Sequence, residues 1–303
     1  MQKYSNFKIQ CTILLFGVLA GKAEAGAMQP SMAMSTGMGN CVRSNQDDPN
    51  SVFAAPGMVW VGERFDLGFG GGFGPSSSRQ VQAAAYDGQT SSIGLGLHWS
   101  MTAKDEIPSN DELPGWREKG ETFDNHIQST VLSASVGGGG VHHLFGVGVG
   151  LRYYTSTSTL EGTEQSFNIA PSIAGVVGRY WTLSLTIENP LPLGYAGAPL
   201  AVGSGARWQP SSRFAVAVDT LTDLGSMPGE VRFSPMVGTE IRIQDEVPIR
   251  LGWTQNGITN EKFITGGIGA ANAAMELSYG VQLDLWTHDE VTHLHRLALR
   301  ISR

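Results

Sequence analysis

Charge, cysteine and long apolar runs are all scarce in this chain of 303 residues. Charged residues make up 16% of it, where a soluble domain carries roughly 25%. Lys and Arg number 20 against 27 Asp and Glu, a net charge of -7, and no two basic residues are adjacent. A protein that neutralises phosphates needs a basic patch, so nucleic acid is excluded as a partner. Past residue 21 no stretch approaches the roughly 18 apolar residues of a spanning helix, which excludes a helical membrane protein. The only cysteines are Cys11 and Cys41, too few for a disulfide framework.

Glycine, by contrast, is abundant, 40 residues against an average near 7%. The first 25 residues stand apart from the rest. Lys3 and Lys8 precede the mostly apolar run Ile9 to Gly21, and Ala23-Glu24-Ala25 forms a small-x-small cleavage site. This is the order of a secretory signal peptide, so residues 1–25 are expected to be removed on export, taking Cys11 with them.

From residue 58 onward a period of two prevails. Trp181, Leu183, Leu185 and Ile187 alternate with Thr182, Ser184, Thr186 and Glu188, and Met275, Leu277, Tyr279, Val281 and Leu283 alternate with Glu276, Ser278, Gly280, Gln282 and Asp284. Successive side chains of a strand point to opposite faces, so each such segment has one apolar and one polar or glycine face. Two arrangements supply a solvent for the apolar faces: a sandwich that buries them against each other, or a closed barrel that turns them to lipid. The connections decide between them. Fourteen strands are predicted between 58 and 303, and those after even-numbered strands are tight, at Gly88-Gln89, Gly138 to Gly140, Gly178, Pro210-Ser211, Asp245-Glu246 and Ala271-Asn272. Those after odd-numbered strands are longer, with 103–121 the longest. Short turns on one rim and long loops on the other are the pattern of bacterial outer-membrane barrels. The expected fold is therefore all-β, a transmembrane antiparallel β-barrel of about 14 strands at residues 58–303, in the bacterial outer membrane and surrounded by its lipid and lipopolysaccharide. Trp99, Trp181, Trp208 and Trp253 fall on the apolar phase as an interfacial girdle would, whereas Trp286 does not. The chain ends on Arg303 rather than on the aromatic residue common to such barrels.

Residues 26–57 show no alternation. They carry Met28, Met32, Met34 and Met38, the small-residue run Gly37-Met38-Gly39, the acidic pair Asp47-Asp48, and Ala55-Pro56-Gly57 leading into the first predicted strand. Together with the ending Thr292-His293-Leu294-His295-Arg296-Leu297, this pattern resembles the FadL-type outer-membrane transporters and their shorter PorV-like relatives. The resemblance implies that residues 26–57 fold into the lumen as a hatch, with Asp47, Asp48, Pro49, Pro56 and Gly57 as its moving part. It also implies passage of small hydrophobic or amphipathic compounds, and the PorV-like relatives suggest an alternative, a barrel that serves as scaffold or partner subunit in an envelope-spanning secretion or surface-assembly complex.

In a barrel the polar phase lines the lumen. The inward basic residues are then Arg64, Arg152, Arg207, Arg232, Arg242, Arg250, Arg296 and Arg300, and the acids Asp66, Glu188, Asp219, Glu240, Glu276 and Asp284. Mixed signs in a narrow lumen suit an internal network pinning strands and hatch together better than a selectivity ring of one sign, and the two hatch aspartates are expected to pair with these arginines. Inward glycines at 94, 96, 146, 148, 150, 203 and 205 admit either close approach of the hatch backbone or a ligand. No catalytic constellation, cofactor motif or zinc spacing is present; His288, His293 and His295 with Asp289 and Glu290 are suitable in residue type alone. We therefore expect no enzymatic activity, no cofactor and no metal.

Overall fold

The structure is a computed structural model that describes residues 32–61, 64–74, 78–91, 93–106, 125–140, 144–159, 162–191, 199–226, 230–257, 260–284 and 293–303. The signal peptide, most of the long connection 103–121, His142-His143, and the region of Trp286, His288, Asp289 and Glu290 lie outside the described residues.

Fourteen antiparallel strands follow in sequence order: β1 (Phe65–Phe73), β2 (Arg79–Asp87), β3 (Gly94–Glu106), β4 (Asn125–Gly140), β5 (Phe145–Ser158), β6 (Gly162–Val177), β7 (Trp181–Glu188), β8 (Ala201–Ser211), β9 (Phe214–Asp223), β10 (Arg232–Ile243), β11 (Val247–Gln255), β12 (Lys262–Ala271), β13 (Met275–Asp284) and β14 (His293–Ser302). Each pairs with its neighbours in sequence, and β1 pairs with β14, so the sheet closes on itself. At the seam Phe65 and Arg303 exchange backbone hydrogen bonds of 3.3 and 2.9 Å. The terminal arginine thus takes part in closure through its main chain, where side-chain identity is irrelevant. Closure removes the edges that β1 and β14 would otherwise present, and an edge in hydrocarbon would strand donors and acceptors at several kcal/mol apiece.

Burial is the reverse of a soluble core. Leu95, Leu97, Leu151, Leu183, Leu251 and Leu277 are exposed on the outer face, whereas Arg152, Arg207, Asp219, Arg250 and Glu240 are buried inside. A sandwich would have buried the leucines; here they face lipid. Trp181 and Trp208 meet at 6.3 Å on the outer face near the short-turn rim, and Phe214 meets Trp208 edge-on at 6.0 Å. This places an aromatic group where one end can stay wet and the other apolar.

Pairing is uneven around the ring. β5 and β6 are in register along their full length, Phe145↔Gly175 to Ser158↔Gly162, but β6 and β7 pair only from Ser172↔Thr186 to Val177↔Trp181. The next residue of β6 is Pro171, which has no N–H to donate. Among the described residues, the half of β6 from Gly162 to Pro171 therefore has a ladder partner on one side only.

The first strand begins later than the alternation suggests. Residues 56–59 form a 3-10 turn seeded by Pro56 at its first position, and β1 starts at Phe65. The physical reason is visible in Met58-Val59-Trp60-Val61, which is apolar on both phases and is buried throughout, as no half-exposed strand would be.

Candidate functional site

Residues 32–61 contain two further short helical turns, α1 (Ala33–Gly37) and α2 (Ser51–Ala54). Almost every described residue of this segment is buried, against the inward-facing phase of the strands. Glycine makes the close approach possible. A Cβ on Gly148 would stand 2.6 Å from the Pro56 carbonyl, and one on Gly94 2.8 Å from the Val59 oxygen. At Gly96 it would meet Val52, at Gly146 the Gly57 carbonyl, at Gly150 the Pro56 ring, and at Gly203 and Gly205 the Arg43 side chain. All seven inward glycines singled out above thus face the N-terminal segment. Gly238 and Gly252, not singled out, do the same for Met38 and Gly39. Pro49 lies over Gly68, and Gly57 donates its N–H to Ser172 Oγ at 2.6 Å.

Charge ties the segment to the wall at three places. The largest centres on Asp47, whose carboxylate lies 2.8 Å from Arg207 Nη2, 3.4 Å from Arg300 Nη1, 3.5 Å from Arg64 Nη1 and 4.0 Å from Arg242 Nη2. These four arginines are held in turn by wall carboxylates. Asp66 pairs with Arg64 at 2.8 Å and Arg300 at 3.0 Å, and Glu240 pairs with Arg242 at 2.9 Å and Arg207 at 3.8 Å, and with a fifth arginine, Arg250, at 2.6 Å. Arg250 also reaches Glu276, which lies 3.5 Å from Arg242. At the second place Arg43 of the segment and Arg152 of β5 share Glu188, the latter pair at 3.2 Å. At the third, Asp219 accepts the backbone N–H groups of Val42 at 2.8 Å and Arg43 at 2.7 Å.

The two hatch aspartates behave differently. Burial raises the Asp47 pKa, but Arg207, Arg300, Arg64 and Arg242 outweigh it and hold the group well below the usual carboxylate range. Asp48 makes no arginine pair among the described residues; its Oδ1 accepts the N–H of Asn50 at 2.8 Å. Burial pushes its pKa up, and its hydrogen bonds from Ser35 and Asn50 do not compensate. The expected pairing of both aspartates is therefore replaced by pairing of one. The cause is local: consecutive residues in a turn point apart, and Asp48 closes an Asx turn with its own chain.

Three of the inward charges lie apart from this network. Arg296 donates to Gln80 at 3.0 Å, to Asn40 at 3.4 Å and to Thr36, Arg232 pairs with Glu230 at 3.2 Å, and Asp284 is buried on β13 near the long-loop rim. Arg43 joins this network from within the segment, and its only signal in the sequence is that it is the one basic residue between 26 and 57. Tyr86, His98 and Phe53 also line the interior, and no charge count gives a signal for them. Tyr86 donates to Asp66, and Phe53 stacks on His98 with ring centroids 4.7 Å apart.

No protein-family model matches this sequence, and no curated protein matches it. Solved structures do. The toluene transporter TodX of Pseudomonas putida superposes with a TM-score of 0.62 at 10% identity, covering 94% of this chain and 98% of that one. The toluene transporter TbuX of Ralstonia pickettii gives 0.61 at 12% identity, with 91% and 99% covered. A FadL homologue of Pseudomonas aeruginosa gives 0.61 at 11%, with 89% and 98% covered. At such identities the likeness is one of architecture, and it runs over nearly the whole of each chain: the fold is that of the FadL-type outer-membrane barrels.

Proposed function

We propose that this chain is an outer-membrane transporter for small hydrophobic or amphipathic compounds, and that residues 26–57 act as its hatch. The observation that carries the reading is the manner in which the segment is attached. Its largest anchor is one carboxylate, Asp47, set among four arginines from different parts of the wall. An anchor made of exchangeable ion pairs can be released and remade, whereas a continuous apolar core would be permanent. The named activity of the structural neighbours, toluene transport, supports the hydrophobic end of the substrate range.

The unequal strand pairing supports an exit through the wall. β7 has eight residues, fewer than the roughly nine to eleven that a tilted strand needs to span a bilayer. Beyond it, among the described residues, β6 from Gly162 to Pro171 has no ladder partner on the β7 side, which supports an exit there for a compound in the lumen.

The test is flux into proteoliposomes containing the full chain. Wild type is expected to pass small hydrophobic solutes, and Asp47→Asn to pass them faster while the barrel keeps its heat-modifiable migration on gels. No flux from either protein would favour the scaffold alternative, as would co-purification of a stoichiometric envelope partner.

A further inference from the structure

Three neighbouring strands carry a row of inward residues in register. His98 on β3 pairs with Ser133 on β4, and Ser133 pairs with Arg152 on β5. All three are at least nine-tenths buried. Phe53 of α2 lies over this row. Its ring stands 4.7 Å from the His98 ring at an interplanar angle of 39°, and the Arg152 guanidinium carbon lies 4.2 Å from its centroid. The small Ser133 is the floor between those two walls. Arg152 also donates to the Phe53 carbonyl at 2.6 Å, so the whole residue is clasped.

A slot flanked by a guanidinium and an imidazole suits an aromatic ring, through cation–π and stacking attraction. Yet Phe53 satisfies only that part of it. Neither ring nitrogen of His98, nor the Ser133 hydroxyl, nor Arg152 Nε has a hydrogen-bond partner among the described residues. Buried polar groups are normally paired, and leaving them unpaired costs free energy. The Phe53 ring held against His98 and Arg152 can supply no such bond.

Charge in the neighbourhood is already matched. Glu188 serves Arg43 and Arg152, and Asp219 binds the Arg43 backbone. An additional carboxylate would therefore enter beside one, whereas a neutral group that both donates and accepts would complete His98 and Ser133. We infer that Phe53 is a built-in occupant of a ligand slot formed by His98, Ser133 and Arg152, and that the compounds fitting the slot are monocyclic phenols. The inference rests on the transporter reading and narrows it from hydrophobic solutes in general to rings that carry a hydroxyl group.

The experiment measures equilibrium binding of phenol, toluene, cyclohexanol and benzoate to the full chain in detergent, in wild type and in Phe53→Ala. Removing the ring vacates the slot, so phenol should bind Phe53→Ala at least about tenfold tighter than wild type, and tighter than the other three by a similar factor, since they leave polar atoms or the flanking cation unmatched. Adding Ser133→Ala should erase the advantage of phenol over toluene. Phe53→Leu, which keeps an apolar contact for α2, serves if Phe53→Ala loses heat-modifiability; phenol must gain affinity there as well. Equal gains for toluene or cyclohexanol, preference for benzoate, or no gain in either variant overturns the slot. Wild-type flux separates the two readings: phenol binding without flux of any solute retains the slot and removes transport, and flux without phenol binding by the variants does the opposite.

Discussion

Asp47 and Asp48 are adjacent carboxylates whose burial leads to opposite consequences. For Asp47 the folded pKa is depressed, so its stabilisation is present at neutral pH and is lost only as pH falls through that low value. For Asp48 the folded pKa is raised, so its charge works against the closed segment at neutral pH, and acidification through the raised value relieves it. Amide exchange of residues 32–61 should therefore slow as pH falls through the raised Asp48 value, after correction for intrinsic rates, until Asp47 itself takes up a proton. Asp47→Asn should speed exchange at neutral pH, and Asp48→Asn should slow it and remove the acid-side gain. Identical behaviour of the two variants would contradict the assignment. The acidic pair was legible in the sequence as a contact to the arginines, but which member makes it was not. That choice is set by the turn, where the Asp48 side chain bonds the backbone two residues on.

Among the elements, strands were the most legible and the segment before them the least. Alternation along Trp181 to Glu188 or Met275 to Asp284 sets which face meets lipid, because a period of two has only two phases. The Met58 to Val61 run misled, since residues buried on all sides carry no phase to read. Inward glycines were legible as absent side chains, and the structure supplies what occupies the space. Gly148→Ala should push the Pro56 turn off the wall and raise protease sensitivity of residues 32–61, whereas Gly138→Ala, with nothing within 4 Å of the added carbon, should change nothing. On the outer face, Leu183→Arg should cost about 2–4 kcal/mol if it lies near the bilayer midplane, measured by denaturant unfolding in vesicles. The proper inward control is Thr102 on β3, which is only half-buried. Ser278 is unsuitable because it bonds Arg250 at 3.0 Å and Glu276 at 2.7 Å, and Ser184 because it is buried beside Asp219 and Arg43 at Gly205.

At the scale of the whole molecule, the sorting of connections gives an orientation. The turns near Gln89, Asp245 and Asn272 share one rim, and the connections at 224–231 and 256–261 the other. A cysteine placed at Ser226 should react with a membrane-impermeant reagent on intact cells, and one at Asn272 should not; the converse labelling would invert the barrel. The seam has a further consequence for how the ring is made. Asp47 is gripped by Arg300 from the last strand and by Arg64 from the residue before the first, while Asp66 and Arg300 pair across the seam itself. Closing the β1–β14 ladder therefore brings two cations to one wall carboxylate, Asp66, and leaves one positive charge in excess unless Asp47 of the earlier-synthesised segment already stands beside them. Zipping of β1 to β14 is thus coupled to loading of the interior: a ring that closes empty carries an unmatched charge at its seam, and the filled ring does not.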